Sequence, residues 1–364
     1  MKTLLLAISI LSFTGFSQQV DLVTPLSDSL IETSGLIFLN DRLITHNDSG
    51  GEHALYEIDT TSGSISRTVI IDNVTNIDWE DVCYDDTHIY IADFGNNSGS
   101  RTNLRVYRVS ISDYLNTPND TISADTILFD YSDQTDFTPT SLSTNYDAEA
   151  LISWNDSLYI FTKNWGNQWT NVYALPKNPG NYSLPRIDSI DVQGFITGAS
   201  FNVDSNSIIL SGYTFTYPFV VELKDLTSSQ FSSATIERTQ VQLPGGYSYQ
   251  LEGIAPIDGT SYYISTEQSF SGSSGLFRFN LGTLGLSSSD AKVEHTIYPN
   301  PATDYLFMDF SGYIRTEIYS VNGKRVLSTK QKVINLSEFS KGNYLVILID
   351  DKGRPAVQER LIIH

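Results

Sequence analysis

The chain has 364 residues, with 42 acidic against 22 basic side chains, a formal net charge of −20, 12% aromatic content and one cysteine. Such a charge repels nucleic acid and anionic lipid and concentrates cations, so a nucleic-acid partner is excluded and calcium from the medium is favoured. A single cysteine excludes an internal disulfide framework, and 21 tyrosines beside only two methionines point to strands rather than helices.

Residues 1–17 carry a lysine at position 2, an apolar core from Leu4 to Phe16, and the small residues Gly15 and Ser17 before Gln18. This pattern predicts a secretory signal peptide, too short to span a membrane as a helix. No later stretch approaches the run of about 18 apolar residues that a transmembrane helix needs, so no transmembrane segment is expected.

Residues 18–286 read as short strands separated by turn clusters such as Asn47-Asp48-Ser49-Gly50-Gly51, without sustained helical periodicity. A short segment recurs five times: Ser34-Gly35-Leu36, Glu80-Asp81-Val82, Glu149-Ala150-Leu151, Thr197-Gly198-Ala199 and Glu252-Gly253-Ile254. Each copy is followed about ten residues later by an apolar run and then by a loop rich in Asn, Asp, Gly and Trp. The second repeat resolves into strands at 80–84, 88–92, 104–109 and 126–131, and the third into 149–153, 158–162, 172–175 and 187–192. Four-strand repeats of this length predict an all-β fold, a five-bladed β-propeller. Six blades is the alternative, because the interval from Glu80 to Glu149 is long enough to hold a degenerate blade. The fifth repeat supplies three strands locally, and residues 20–26 are of the right kind to provide the fourth, which would close the ring without an open edge. Cys83 lies in a strand-like alternation and reads as a buried free thiol.

In a propeller the first strand of every blade lines the central channel, and the loops between second and third strands emerge on the face where those first strands begin. The segment residues Ser34, Glu80, Glu149, Thr197 and Glu252 are therefore expected to face one another. Three carboxylates around one channel must protonate, find a cation or be spaced by water, and oxygen-only ligands suit Ca²⁺ ahead of Mg²⁺. These five residues are the predicted metal ligands. The rim above them is expected to bind a ligand through Asn47, Asp48, Asn96, Asn97, Asn164, Trp165 and Glu267, with Trp165 and Trp169 available to stack on a sugar or base. Four residues are candidates for chemistry there. His46 is a candidate general base, Asp81 an acid within Asp78-Trp79-Glu80-Asp81, Asp93 opens an amide-rich turn, and Lys163 is one of two bases in the loops. No Ser-His-Asp order, phosphate-binding glycine loop or HExxH motif is present.

The alternation Ser, Glu, Glu, Thr, Glu over the five repeats resembles the calcium-activated nucleotidase (apyrase) family. Ser34-Gly35-Leu36 opens the series, Leu251-Glu252-Gly253-Ile254 closes it, and Tyr90 and Tyr159 stand on second strands. The resemblance implies a five-bladed propeller with a central calcium held by Ser and Glu, and it suggests a calcium-dependent hydrolase of a phosphate or, second to that, a glycosidic bond as the alternative to a binding protein. Thr197 departs from the family's Ser. The rim offers only Arg101 and Lys163 as bases, so a nucleotide polyanion lacks the cationic groups its transition state needs unless calcium supplies them.

Residues 287–292 lie in a small-residue linker, and residues 293–364 form a separate module with alternating strands, expected to be a small Ig-like β-sandwich with Asn322-Gly323 as a hairpin turn. Tyr298-Pro299-Asn300-Pro301-Ala302, Asn322-Gly323-Lys324, Lys341-Gly342-Asn343-Tyr344 and the terminal Arg360-Leu361-Ile362-Ile363-His364 resemble the type A C-terminal sorting domain of the type IX secretion system of Bacteroidetes. That resemblance implies an export address recognised by the type IX machinery, and a protein secreted or held on the outer cell surface.

Overall fold

The computed structural model describes residues 17–140, 142–269, 272–281, 297–299, 301–308, 313–320, 324–350 and 355–363. The predicted signal peptide through residue 16, the linker 287–292 and the Asn322-Gly323 turn lie outside these residues. The chain divides into two compact units, Met1–Thr283 and Leu284–His364.

In the first unit, five sheets follow one another along the chain, each built from successive antiparallel neighbours. The first holds Thr33–Leu39, Arg42–Asn47, Ala54–Ile58 and Ile65–Ile71; the second Trp79–Tyr84, His88–Asp93, Arg105–Ser110 and Asp125–Tyr131. The third holds Ala148–Trp154, Ser157–Thr162, Thr170–Pro176 and Arg186–Ile190; the fourth Phe195–Asn202, Ser207–Tyr213, Pro218–Lys224 and Thr235–Gln242. The fifth contributes Leu251–Pro256, Ser261–Thr266 and Gly275–Asn280, and its outer position is taken by Asp21–Pro25, antiparallel to Gly275–Asn280. The first strands adjoin in cyclic order, and Leu251–Pro256 packs back on Thr33–Leu39. The N-terminal strand thus locks the ring, as the missing fourth strand of the last repeat requires, and the unit is a β-propeller.

Apolar side chains fill the gap between each neighbouring pair of sheets. Ile44 and Leu55 meet Val82 and Ile91 between the first two, and Leu36 and Leu43 meet Ala255 and Leu276 between the last and the first. These strands are buried on both faces of the sheet, so they read as continuous Val, Ile, Leu and aromatic runs rather than clean alternations.

Three outer strands escape the repeat pattern. Thr121–Ile122 adds in parallel to the first sheet, Gly180–Leu184 to the second and Ser17–Gln19 to the fourth. A six-residue helix, Ile111–Asn116, capped by the Ser110 hydroxyl, occupies part of the long interval between the second and third segments. It buries Tyr114, whose hydroxyl donates to Glu57 at 3.0 Å.

The second unit contains a three-stranded sheet, Ile297–Tyr298, Tyr305–Met308 and Val333–Asn335. A four-stranded sheet runs in the order Arg325–Thr329, Tyr313–Ser320, Gly342–Asp350, Pro355–Ile363. Leu306, Met308 and Ile334 from the first and Ile318, Val346, Leu348 and Leu361 from the second share one apolar core, which makes the unit a small β-sandwich.

Candidate functional site: an acidic ring beside a buried lysine

All five first strands break register at the recurring segment. The irregularities fall between Thr33 and Leu36, Trp79 and Asp81, Ala148 and Ala150, Ile196 and Gly198, and Leu251 and Ile254. The residues skipped by the ladder are Ser34, Glu80, Glu149, Thr197 and Glu252, joined by Gly35 and Gly253. A bulge re-aims the side chain it carries. Here it delivers the predicted ligand positions to one place, and all five are buried.

The second residue of the segment is small for a different reason. A Cβ on Gly35 would stand 2.4 Å from the Val82 nitrogen, and one on Gly198 would stand 2.2 Å from the Glu252 carbonyl. Neighbouring first strands approach too closely for a side chain at these two glycines. Asp81 holds this position in the second sheet and turns inward. Its carboxylate accepts from the Leu151 amide at 2.7 Å and the Ala199 amide at 3.2 Å, tying three sheets together. Burial pushes the Asp81 carboxyl well above its ordinary range, opposed by the amide donors of Leu151, Val82 and Ala199. The candidate acid Asp81 is therefore a strut within the ring.

The two hydroxyls of the set are also committed. Ser34 Oγ donates to the Glu80 carbonyl and Thr197 Oγ1 to the Leu251 carbonyl, each stitching its strand to the next. Their protons are spent on backbone. The three glutamates do come together: Glu80 and Glu252 each feel the Glu149 charge, and burial drives all three well above the usual carboxylate range.

A second tier of acids stands around them. Asp78 and Asp147 precede Glu80 and Glu149 by two residues, in Asp-Trp-Glu and Asp-Ala-Glu. The backbone N–H of Gly95 returns to the Asp78 carbonyl at 3.2 Å, and that of Lys163 to the Asp147 carbonyl at 2.7 Å. Asp48 makes the same return to Glu32 in the first sheet, at 2.9 Å. Asp48, Gly95 and Lys163 thus occupy corresponding places at the ends of three second strands, with opposite consequences.

Around Lys163 the charges are paired within the protein. Its Nζ lies 3.0 Å from Glu149 Oε1, with both side chains buried, and sits 4.9 Å from the Trp165 ring centre and 5.3 Å from that of Tyr213. Burial opposes the ammonium, but Glu149, Tyr213, Glu252 and Asp147 hold its pKa well above the ordinary lysine value. Asp147 accepts from the Asn96 amide at 2.6 Å and from Trp165 Nε1 at 2.7 Å.

Around Gly95 the nearest cation is Arg101, whose Nη1 donates to the Gly95 carbonyl at 2.7 Å and lies 4.0 Å from Asp78. A Cβ there would lie 2.0 Å from Glu80 Oε1 and 2.5 Å from Asp78 Oδ2, so the missing side chain is the space these carboxylates use. Asp48, Asp78 and Glu80 each offer an oxygen within 4.8 Å of the others, and Asp48 Oδ1 is buried without a hydrogen-bond partner. Burial, then Asp78 and Glu267, raise Asp48 to about 7; burial raises Asp78 to about 6 and Glu267 to about 7. Arg101 passes 4.0 Å from Asp78 but is engaged 2.8 Å from Asp93.

The remaining predicted site residues divide cleanly. His46 is fully buried against Trp79, their ring centres 5.7 Å apart, and burial lowers it to about 4, so it is an uncharged core residue rather than a rim base. Asp93 is buried and held by Arg101, Arg105 and Tyr107. Asn96 is a buried linker between the second and third sheets, donating to the Tyr146 carbonyl. Asn164 is buried and accepts from the Thr162 hydroxyl at 2.6 Å. Asn47 donates to the Ser29 carbonyl at 2.8 Å, whereas Asn97 is exposed on the rim. Glu267 accepts from Gln250 Nε2. Asp78, Asp147 and Tyr213 were not among the predicted site residues. The Asp-x-Glu spacing shared by two repeats, Asp78-Trp79-Glu80 and Asp147-Ala148-Glu149, is the signal that points to the first two.

Residues 296–364 match the family described as the secretion system C-terminal sorting domain. The chain therefore carries a type IX export address, which implies secretion or attachment at the cell surface. Among the described residues no helix is long and apolar enough to cross a membrane. A search of curated proteins found no match. Among solved structures the chain is similar to an exo-β-1,3-galactanase from Clostridium thermocellum (13% identity, 92% of this chain and 82% of that one, TM-score 0.43). It is also similar to the PQQ-bound aldose sugar dehydrogenase from Streptomyces coelicolor (12% identity, 72% and 97%, TM-score 0.40). A third is the α-L-arabinofuranosidase from Podospora anserina (8% identity, 73% and 96%, TM-score 0.42). Likeness at this level carries no argument about activity.

Proposed function

We propose that this exported propeller is stabilised by a calcium ion held off-centre in the ring by Asp48, Asp78 and Glu80, and that it binds a ligand on the rim above. The observation that carries the cation site is the trio Asp48, Asp78 and Glu80, each offering an oxygen within 4.8 Å of the others, two of them filling the space that the missing side chain of Gly95 leaves. Oxygens sharing one calcium at about 2.4 Å are no more than about 4.8 Å apart, which is the spread these three carboxylates allow. When bound, calcium would supply the positive charge that Lys163 supplies one sheet further on. Asp48 Oδ1, buried and unpartnered, is the oxygen with most to gain.

The five-membered ligand set read from the sequence contracts in this proposal. Glu80 remains; Glu149 is neutralised by Lys163; Ser34 and Thr197 act as backbone staples; Glu252 faces Glu267 and Lys163.

A binding role accounts for the rim better than phosphoryl transfer does. Lys163 and Arg101, the two bases in these loops, are each engaged by a buried carboxylate. The remaining groups repel a polyanion. Calorimetry and thermal melting of the metal-stripped full chain with calcium or magnesium, followed by phosphate release from a nucleoside diphosphate panel, test both statements. Calcium binding with a raised melting temperature and no turnover is expected. Absence of calcium binding refutes the cation site, and calcium-dependent phosphate release refutes the pure binding role.

A further inference from the structure

The loop that carries Gly95 is closed on itself by Arg101. Its guanidinium donates to the Gly95 carbonyl at 2.7 Å, to Asp93 Oδ1 at 2.8 Å, to the Asp93 carbonyl at 3.3 Å and to Asn103 Oδ1 at 3.1 Å. The Arg101 amide donates to Asn96 Oδ1 at 2.9 Å, and the Asp78 amide donates to Asp93 Oδ1 at 3.2 Å. A permanently charged, largely buried group is thereby fixed beside the acidic trio.

Asp78 Oδ2 stands where two cations can claim it. The same oxygen that shares the Gly95 space with Glu80 Oε1 lies 4.0 Å from Arg101 Nη1. That separation is too long for a hydrogen bond and short enough for a substantial charge interaction. Burial raises the Asp78 carboxyl, and Arg101 is the foremost charge opposing that rise. Nη1 carries a second proton besides the one given to Gly95, so a small turn of the carboxylate toward arginine would complete a hydrogen bond. An ion shared with Asp48 and Glu80 draws the carboxylate the other way.

We infer that Arg101 is a built-in competitor of the cation, contending for Asp78 and thereby weakening the site. This rests on the cation site proposed above and names what regulates its affinity. A weakened site suits an exported protein, because it fills only where calcium is abundant, outside the cell.

Calcium binding to the metal-stripped full chain is measured by calorimetry for the parent, Arg101→Gln and Arg101→Lys, each first melted in chelator to show that it is folded. The parent is expected to bind with a Kd of about 0.1–1 mM, the range of extracellular calcium modules. Arg101→Gln removes the charge and should bind about tenfold more tightly. Arg101→Lys keeps the charge without the planar fork and should stay within about threefold of the parent. Equal or weaker binding by Arg101→Gln, an equal gain in Arg101→Lys, or a submicromolar Kd for the parent overturns the inference while leaving the cation site standing. Calcium binding by none of the three proteins refutes the cation site and the inference with it. Crystal structures of the parent in calcium and in chelator need no variant: Arg101 Nη1 should lie closer to Asp78 Oδ2 in chelator, and equal separations overturn the competition.

Discussion

The second and third sheets carry the same device and complete it differently. Each places an Asp-x-Glu pair at the head of its first strand, breaks register there, and returns a second-strand amide to the Asp carbonyl. In the third sheet the returning residue is Lys163, whose ammonium neutralises Glu149. In the second it is Gly95, whose place is filled by the carboxylates themselves. One residue thus decides whether the glutamate at the head of the first strand meets an ammonium from the same sheet or shares its space with a second carboxylate.

The strongest way to break this contrast is to remove the internal cation. Lys163→Met leaves Glu149 buried and unpaired, and the expected loss is about 3–5 kcal/mol, as for other broken buried pairs, measured by denaturant unfolding. A loss under about 1 kcal/mol would mean that the pair contributes nothing. Glu80→Gln should act on the other side. It should abolish most of the calcium stabilisation, which for the parent at a hundredfold excess over Kd is about 2.7 kcal/mol, while barely lowering metal-free stability. A melting response to calcium equal to that of the parent would remove Glu80 from the site.

Gly95→Ala inserts a methyl group into the carboxylate cradle. It should cost about 1–3 kcal/mol by overpacking and weaken calcium binding in calorimetry, whereas a change at Asn97 on the same loop should do neither. Smallest should be Ser34→Ala and Thr197→Val, about 1 kcal/mol each for the lost bond to the neighbouring carbonyl, with the calcium response intact. If either abolishes that response, the hydroxyls are ligands after all.

Acid titration sharpens the same contrast. Asp48 and Glu267 are raised to about 7 and Asp78 to about 6, all above their unfolded values. The stability this contributes is fully present below about pH 4 and is lost as pH rises through 6 to 7. Metal-stripped protein should therefore melt at progressively lower temperature between pH 5 and 7.5, with calcium flattening the decline; parallel curves with and without calcium would contradict the site.

Much of this was legible in the chain because it depends on local chemistry repeated. The recurring segment, the strand runs after it and the spare strand near residue 20 follow from alternation and turn residues, and the C-terminal module announces itself through Tyr298-Pro299-Asn300-Pro301 and Lys341-Gly342-Asn343-Tyr344. The convergence of Glu80, Glu149 and Glu252 was also readable, since a ring aligns equivalent positions. Hidden from the sequence was which oxygens stay free. Ser34 and Thr197 offer hydroxyls in the sequence, and only the structure shows their protons going to the Glu80 and Leu251 carbonyls, while His46 looks like a base until Trp79 covers it. Sequence determined the strands and the residue types at the head of each, because period and propensity are local. Tertiary structure alone decided that Lys163 meets Glu149 while Gly95 makes room for Glu80, because pairing depends on distances between strands far apart in the chain.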